Sequence, residues 1–135
     1  MKTFDCDSTI SNVDKVISFI NDELDRVNCP QKTKVQIDVA IDELFSNIAN
    51  YAYNPNVGDV TVTMETHENT RSVVITFIDK GKPYDPLKKD DPNVNASLNE
   101  REIGGLGIYI VKKSMDDVQY EYKDGKNILT IKKNI

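Results

Sequence analysis

Glu43, Asn47 and Asn50 are the residues whose types and spacing could do chemistry together. They lie in the stretch 38–53, which has a helix period. At roughly 100° per residue, Ile37, Ile41, Leu44 and Ile48 form one apolar stripe. The acid and the two amides follow one border of that stripe beside small Ala40, and Asp38 and Asp42 fall on the opposite, watery side. A carboxylate and a carboxamide at i and i+4 are neighbours on a helix. Glu43 and Asn47 can therefore turn a proton acceptor and a hard-cation ligand toward one site. The ordinary alternative is that these groups are the solvated shoulder of a core helix.

Two further stretches carry chemistry-bearing types. Asp79 closes the apolar run Val73-Val74-Ile75-Thr76-Phe77-Ile78, and Gly81 follows two residues later. A carboxylate at the end of a buried strand can accept a hydrogen bond from an exocyclic amine such as N6 of adenine, and glycine permits close approach of a flat ring. Read alone, Asp79-Lys80-Gly81 is a strand-to-turn sequence. Gly104-Gly105-Leu106-Gly107 opens a helical pattern. Free N–H groups and the helix dipole make such a turn an anion cradle, each contact giving about 1 kcal/mol, so several must act together. The spacing is not that of a Walker P-loop or a strand-leading dinucleotide fingerprint.

The elements that must position these groups follow from periodicity. Residues 2–6 read as a short strand. Ile10, Val13, Val16, Ile17, Ile20, Leu24 and Val27 predict a first helix at about 11–27, stopped by Asn28-Cys29-Pro30. Pro30 and Thr33 open the second helix, which the turn formers Tyr53–Asp59 end. The runs 60–66 and 72–79 are β-branched strands joined by a hairpin connection at 68–71. From Lys82 to Gly104 the chain is polar and carries Pro83, Pro86 and Pro92, the composition of a lid or binding loop, with a short helix expected in 93–102. A third helix at about 105–116 and strands at about 117–123 and 127–133, turned by Asp124-Gly125, complete the chain. This order predicts an α+β two-layer sandwich, a mostly antiparallel sheet with helices on one face, as a single domain over residues 1–135.

Composition narrows the function classes. The net charge of −5 argues against nucleic acid as the main partner, because phosphate contacts want a basic surface. No apolar run approaches the roughly 20 residues of a membrane span, and the N-terminus lacks a signal peptide's apolar segment, so a cytoplasmic location is expected, with no membrane partner. Cys6 and Cys29 suggest neither a disulfide scaffold nor a zinc site. His67, the single histidine, falls in a strand, which disfavours Ser-His or Cys-His catalysis.

Together the three stretches resemble the boxes of the GHKL ATPases, the Bergerat-fold group that includes histidine kinases, gyrase B and MutL. Glu43-Leu-Phe-Ser-Asn47 resembles the N box, Asp79-Lys-Gly81-Lys-Pro83 the G1 box and Gly105-Leu-Gly107 the G2 box, in order and nearly spanning the chain. The short length, Asn-Ile-Ala-Asn-Tyr-Ala-Tyr and Gly81-Lys-Pro83-Tyr-Asp-Pro86 are similar to the bacterial stand-alone serine-kinase anti-sigma factors of the RsbW and SpoIIAB type. The resemblance implies the Bergerat ATP-binding fold, with ATP and Mg²⁺ as cofactors. Asn47 would coordinate Mg²⁺, Asp79 would read adenine with Gly81 making room, and Pro83 would belong to the same box. Gly105, Leu106 and Gly107 would offer N–H groups to phosphate. Glu43 would take the proton from a partner's serine, and Asn50 is an added polar neighbour suggested by helix geometry. Residues 82–103 would be the ATP lid, whose Lys82, Lys88, Lys89 and Arg101 read ordinarily as solvated charge. The implied partners are an anti-anti-sigma (STAS-type) protein, a sigma factor and a second copy of the chain in a homodimer. Two other classes stay open: a nucleotide-binding regulatory module without phosphoryl transfer, and an α+β interaction domain in which the boxes coincide by chance.

Overall fold

A computed structural model of the chain describes residues 1–88 and 105–135. Five strands form one sheet: β1 (Lys2–Asp7), β2 (Asp59–His67), β3 (Ser72–Asp79), β4 (Asp117–Lys123) and β5 (Lys126–Asn134). Their order is β1-β2-β3-β5-β4, and every neighbouring pair is antiparallel. Alternation decides the faces. Val60, Val62 and Met64 of β2, Val73, Ile75 and Phe77 of β3, and Leu129 and Ile131 of β5 are all buried toward the helices. The intervening Thr61, Thr63, Thr76 and Thr130 are half-buried on the other face. The expected α+β sandwich is the observed one.

Among the described residues three α-helices cover the apolar face: α1 (Val13–Arg26), α2 (Gln31–Asn47) and α3 (Gly105–Ser114). Val16, Ile20 and Leu24 of α1 recur at i, i+4, i+8 and are fully buried. Asn28 ends α1 in the left-handed region at φ 56°, and Cys29 N–H closes on the Leu24 carbonyl at 2.9 Å. α2 packs against both α1 and α3. Its Ile37, Ala40, Ile41, Leu44 and Phe45 join the core, where burying each large side chain stabilises by about 1.5–3 kcal/mol.

The structure departs from the expected helices at two places. α2 stops at Asn47, and the chain continues as a wider π-wound turn over Ile48–Ala52. Asp38, expected in water, instead faces α1 and accepts a 2.7 Å hydrogen bond from Asn21 Nδ2. The β4–β5 hairpin turns at Asp124 and Gly125 with φ of 54° and 75°, the paired positive values of a tight hairpin. Cys6 and Cys29 are both free thiols. Among the described residues no helix is long and apolar enough to cross a membrane.

Candidate functional site

A cavity opens where β3 ends beside α2, with Leu44, Ile48, Phe77 and Leu129 among its apolar walls. Asp79 lines it while only 5% exposed. Register puts Asp79 directly opposite Asn127 on β5, and the alternation that buries Phe77 and Leu129 also turns both polar groups inward. Asp79 Oδ1 accepts 2.9 Å hydrogen bonds from Gly81 N–H and from Asn127 Nδ2. Burial pushes the Asp79 carboxyl above its usual range, and these two donors pull against that rise. Among the described residues no donor reaches Oδ2. An acceptor oxygen of a largely buried residue is thus left open to an apolar slot, the arrangement that suits one flat, amine-bearing ring.

The slot's other wall comes from the end of α2 and the π-turn, with Asn47, Tyr51 and Ala52 on it. Single π-turns inside helices are frequent at functional sites. Gly81 is held against this turn: a Cβ there would come within 2.2 Å of the Ala52 carbonyl oxygen, and Lys82 N–H donates to the same oxygen at 2.9 Å. The room that glycine makes is therefore occupied by the chain's own backbone. Tyr84 stands near Tyr51, ring centroids 5.8 Å apart.

Glu43, one turn before Asn47, does not line this cavity and meets Gly107 of α3 instead. A Cβ on Gly107 would lie 1.9 Å from Glu43 Cδ and 2.1 Å from its Oε1. The carboxylate therefore rests on the first turn of α3, where backbone N–H groups lack helical partners. Burial, and then the charge of Asp42, raise the Glu43 carboxyl above the usual range. A raised carboxylate beside a helix start can hold a proton at that place.

The structure does not gather all the expected residues into one place. Asn47, Asp79 and, by its backbone, Gly81 meet at the cavity, and Glu43 meets Gly107 at the start of α3. Asn50 is exposed and does not line the cavity, because the π-turn's wider winding takes it out of phase with Asn47. Pro83 is exposed beyond the turn at Gly81. Leu106 is 37% exposed in the first turn of α3, and Gly105 begins that helix. Gly104, most of the expected lid (89–103) and the expected helix in 93–102 lie outside the described residues.

Asn127 is the site residue that sequence reasoning missed. Its Nδ2 also donates to the Lys82 carbonyl at 2.8 Å, and its Oδ1 accepts from Tyr84 N–H at 3.2 Å and from the Tyr120 hydroxyl. The available signal was its phase, since it falls in step with inward Leu129 and Ile131.

Mg²⁺ is commonly held by one or two protein ligands plus phosphate oxygens. The carboxamide of Asn47, which lines the cavity, has the oxygen-donor chemistry of such a ligand. Among the described residues no group of three or more His, Cys, Asp or Glu forms a cage for a metal ion.

The profile of the histidine kinase-like ATPase domain matches residues 6–133. A serine/threonine-protein kinase, BtrW of Bordetella bronchiseptica, is 26% identical over 100 residues, covering 74% of this chain and 70% of BtrW. The serine-protein kinase RsbW of Bacillus cereus is 28% identical over 98 residues, covering 70% of this chain and 60% of RsbW. The chain thus spans about two thirds of the length of these relatives. Among solved structures, the RsbU and RsbW domains of a Mycobacterium tuberculosis protein superpose with TM-score 0.66 at 15% identity, over 99% of this chain and 32% of that one. The histidine kinase domain of a blue-light-activated kinase from Erythrobacter litoralis gives TM-score 0.52 at 16% identity, over 78% and 46%. At these identities the structures speak for the fold.

Proposed function

Because the chain belongs to the histidine kinase-like ATPase family, matched over residues 6–133, we propose that it binds Mg-ATP in this cleft and phosphorylates a serine of a partner protein. The observation that carries the reading is the seating of Glu43 against Gly107. It sets a proton acceptor beside a helix start suited to phosphate, on the helix that also presents Asn47 to the base cavity.

Each residue has a role in that reading. Asp79 accepts from the amino group of adenine, and Asn47 provides one oxygen to the divalent ion. The N–H groups at Gly105, Leu106 and Gly107 face phosphate oxygens. Bound Mg-ATP supplies the transferable phosphoryl group and the charge that neutralises it. Glu43 takes the proton released by the attacking serine hydroxyl, so catalysis is positioning and charge stabilisation. The names of BtrW and RsbW as serine kinases support the reaction class. The resemblance of the boxes to the stand-alone serine-kinase anti-sigma factors would make the substrate a STAS-type anti-anti-sigma protein and the second client a sigma factor, held by a homodimer, in the cytoplasm that the composition led us to expect.

A second reading, nucleotide binding without transfer, is favoured by one contrast. Asp79 is oriented by two donors, whereas among the described residues no hydrogen bond orients the Glu43 carboxylate. Incubation with radiolabelled ATP and a STAS-type protein separates the two. Phosphoserine formed by the wild type and lost in Glu43→Gln supports transfer. Tight ATP binding without phosphoserine supports the regulatory module.

A further inference from the structure

Asn127 sits in the middle of the base cavity's polar floor, 6% exposed, on a strand remote in sequence from Asp79. Its carboxamide is fully used, and in one orientation only. The nitrogen points at three acceptors, Asp79 Oδ1 at 2.9 Å, the Lys82 carbonyl at 2.8 Å and, more weakly, the Gly81 carbonyl at 3.5 Å. The oxygen faces two donors, Tyr84 N–H at 3.2 Å and the Tyr120 hydroxyl. Turning the amide over would set its carbonyl against a carboxylate and a second carbonyl, stranding buried polar groups.

We propose that Asn127 is a positioning residue for base recognition, holding Asp79 as an acceptor-only group so that the cleft takes a 6-aminopurine and rejects a 6-oxopurine. The inference rests on the nucleotide reading of the cleft. With Asn127 and Gly81 N–H both on Oδ1, the carboxylate cannot rotate without losing two hydrogen bonds, and Oδ2 is what it presents. An ionised carboxylate accepts and never donates. An amino group on the base satisfies it, whereas a carbonyl oxygen at the same position faces a like partial charge. Burial alone drives this carboxyl toward its protonated form, which carries a donor and would tolerate a carbonyl. Asn127 is the side chain that opposes both the rotation and the protonation. The hydroxyl of Tyr120 and the backbone of Tyr84 act one step further out, by fixing which end of the amide faces Asp79.

The test is equilibrium binding of Mg-ATP and Mg-ITP to the full chain across a pH series from acid to neutral. Wild type is expected to prefer ATP wherever Asp79 is ionised, the ratio narrowing only as acid protonates that carboxyl. Asn127→Leu is expected to narrow the ratio by about tenfold or more at the acid end, with recovery as the pH rises and Asp79 ionises. Tyr120→Phe keeps Asn127 and Asp79, removes one donor and is expected to narrow the ratio partly, so it serves if Asn127→Leu does not fold. A residue of purely structural role would weaken both nucleotides alike and leave the ratio and its pH profile unmoved. That result in a folded Asn127→Leu overturns the proposal, as does an unmoved ratio in Tyr120→Phe where Asn127→Leu does not fold. If wild type binds neither nucleotide at millimolar concentration, the nucleotide reading fails and this inference with it.

Discussion

The carboxylate of Glu43 lies against the backbone of Gly107, so close that a Cβ built on the glycine would fall 1.9 Å from Glu43 Cδ. One residue comes from the middle helix of the layer, the other from the first turn of the helix beside it. The contact sets the α2 carboxylate against the first turn of α3, and among the described residues no hydrogen bond to that carboxylate accompanies it.

Gly107→Ala is expected to leave stability within about 1 kcal/mol of wild type, since alanine gains helix propensity and the Glu43 side chain can swing aside. The swing moves the carboxylate by an ångström or more. Phosphoryl transfer should then fall by about 100-fold, the size associated with such misplacement, while ATP affinity changes far less. Thermal melts alongside single-turnover transfer measure the two effects separately.

Glu43 must be ionised to accept a proton, and burial and Asp42 both raise its carboxyl. Transfer should therefore be lost as pH falls through a value above that of an exposed glutamate, about 4.3. Asp42→Asn removes the second cause and should shift the acid limb of the pH–rate profile downward, with the plateau kept. Glu43→Gln should lower the plateau by about 10²–10⁴-fold, the usual weight of a general base. An acid limb that does not move in Asp42→Asn counts against the assignment.

The Asp79 carboxyl is raised in the folded chain, burial being the largest cause. The folded state therefore holds that proton more tightly than the unfolded state. The resulting stabilisation is present at low pH and is lost as pH rises through the folded value. Asp79→Asn keeps an acceptor for Gly81 N–H and Asn127 and removes the charge. The ligand-free variant should be more stable near neutral pH by about 1 kcal/mol, the size of a relieved functional compromise, and should lose its ATP-induced rise in melting temperature.

Gly81→Ala makes the opposite trade to Gly107→Ala. The added Cβ would meet the Ala52 carbonyl oxygen at 2.2 Å, a backbone atom of the π-turn that cannot swing away. Destabilisation of about 1–3 kcal/mol is expected, typical of overpacking, with nucleotide affinity falling as the base cavity's wall moves. Denaturant melts of the two alanine variants side by side check the contrast.

Most of the fold was legible because its signals are local. The β-branched runs marked β2 and β3, with only the ends of β2 moving, since alternation and turn residues bound a strand from within. The apolar period marked α1 to within a turn at its start, where the chain begins as a short 3-10 segment over Ile10–Asn12. The winding of 48–52 was not legible: a regular period carried through that stretch put Asn50 beside Asn47, and the π-turn separates them. Asp38 was misplaced for a related reason, because a helical wheel shows the stripe facing the sheet and not which flank a second helix covers.

By itself, the sequence determined the order of elements, the alternation that fills the core, and the candidates Glu43, Asn47, Asp79 and Gly107, because a residue's neighbours on its own helix or strand set its local phase. Only the tertiary structure brought Asn127 to Asp79 and Gly107 to Glu43. Those meetings depend on β5 pairing with β3 in one register and on α3 lying beside α2. Register and helix packing are fixed by long-range burial, which no stretch of the chain encodes alone.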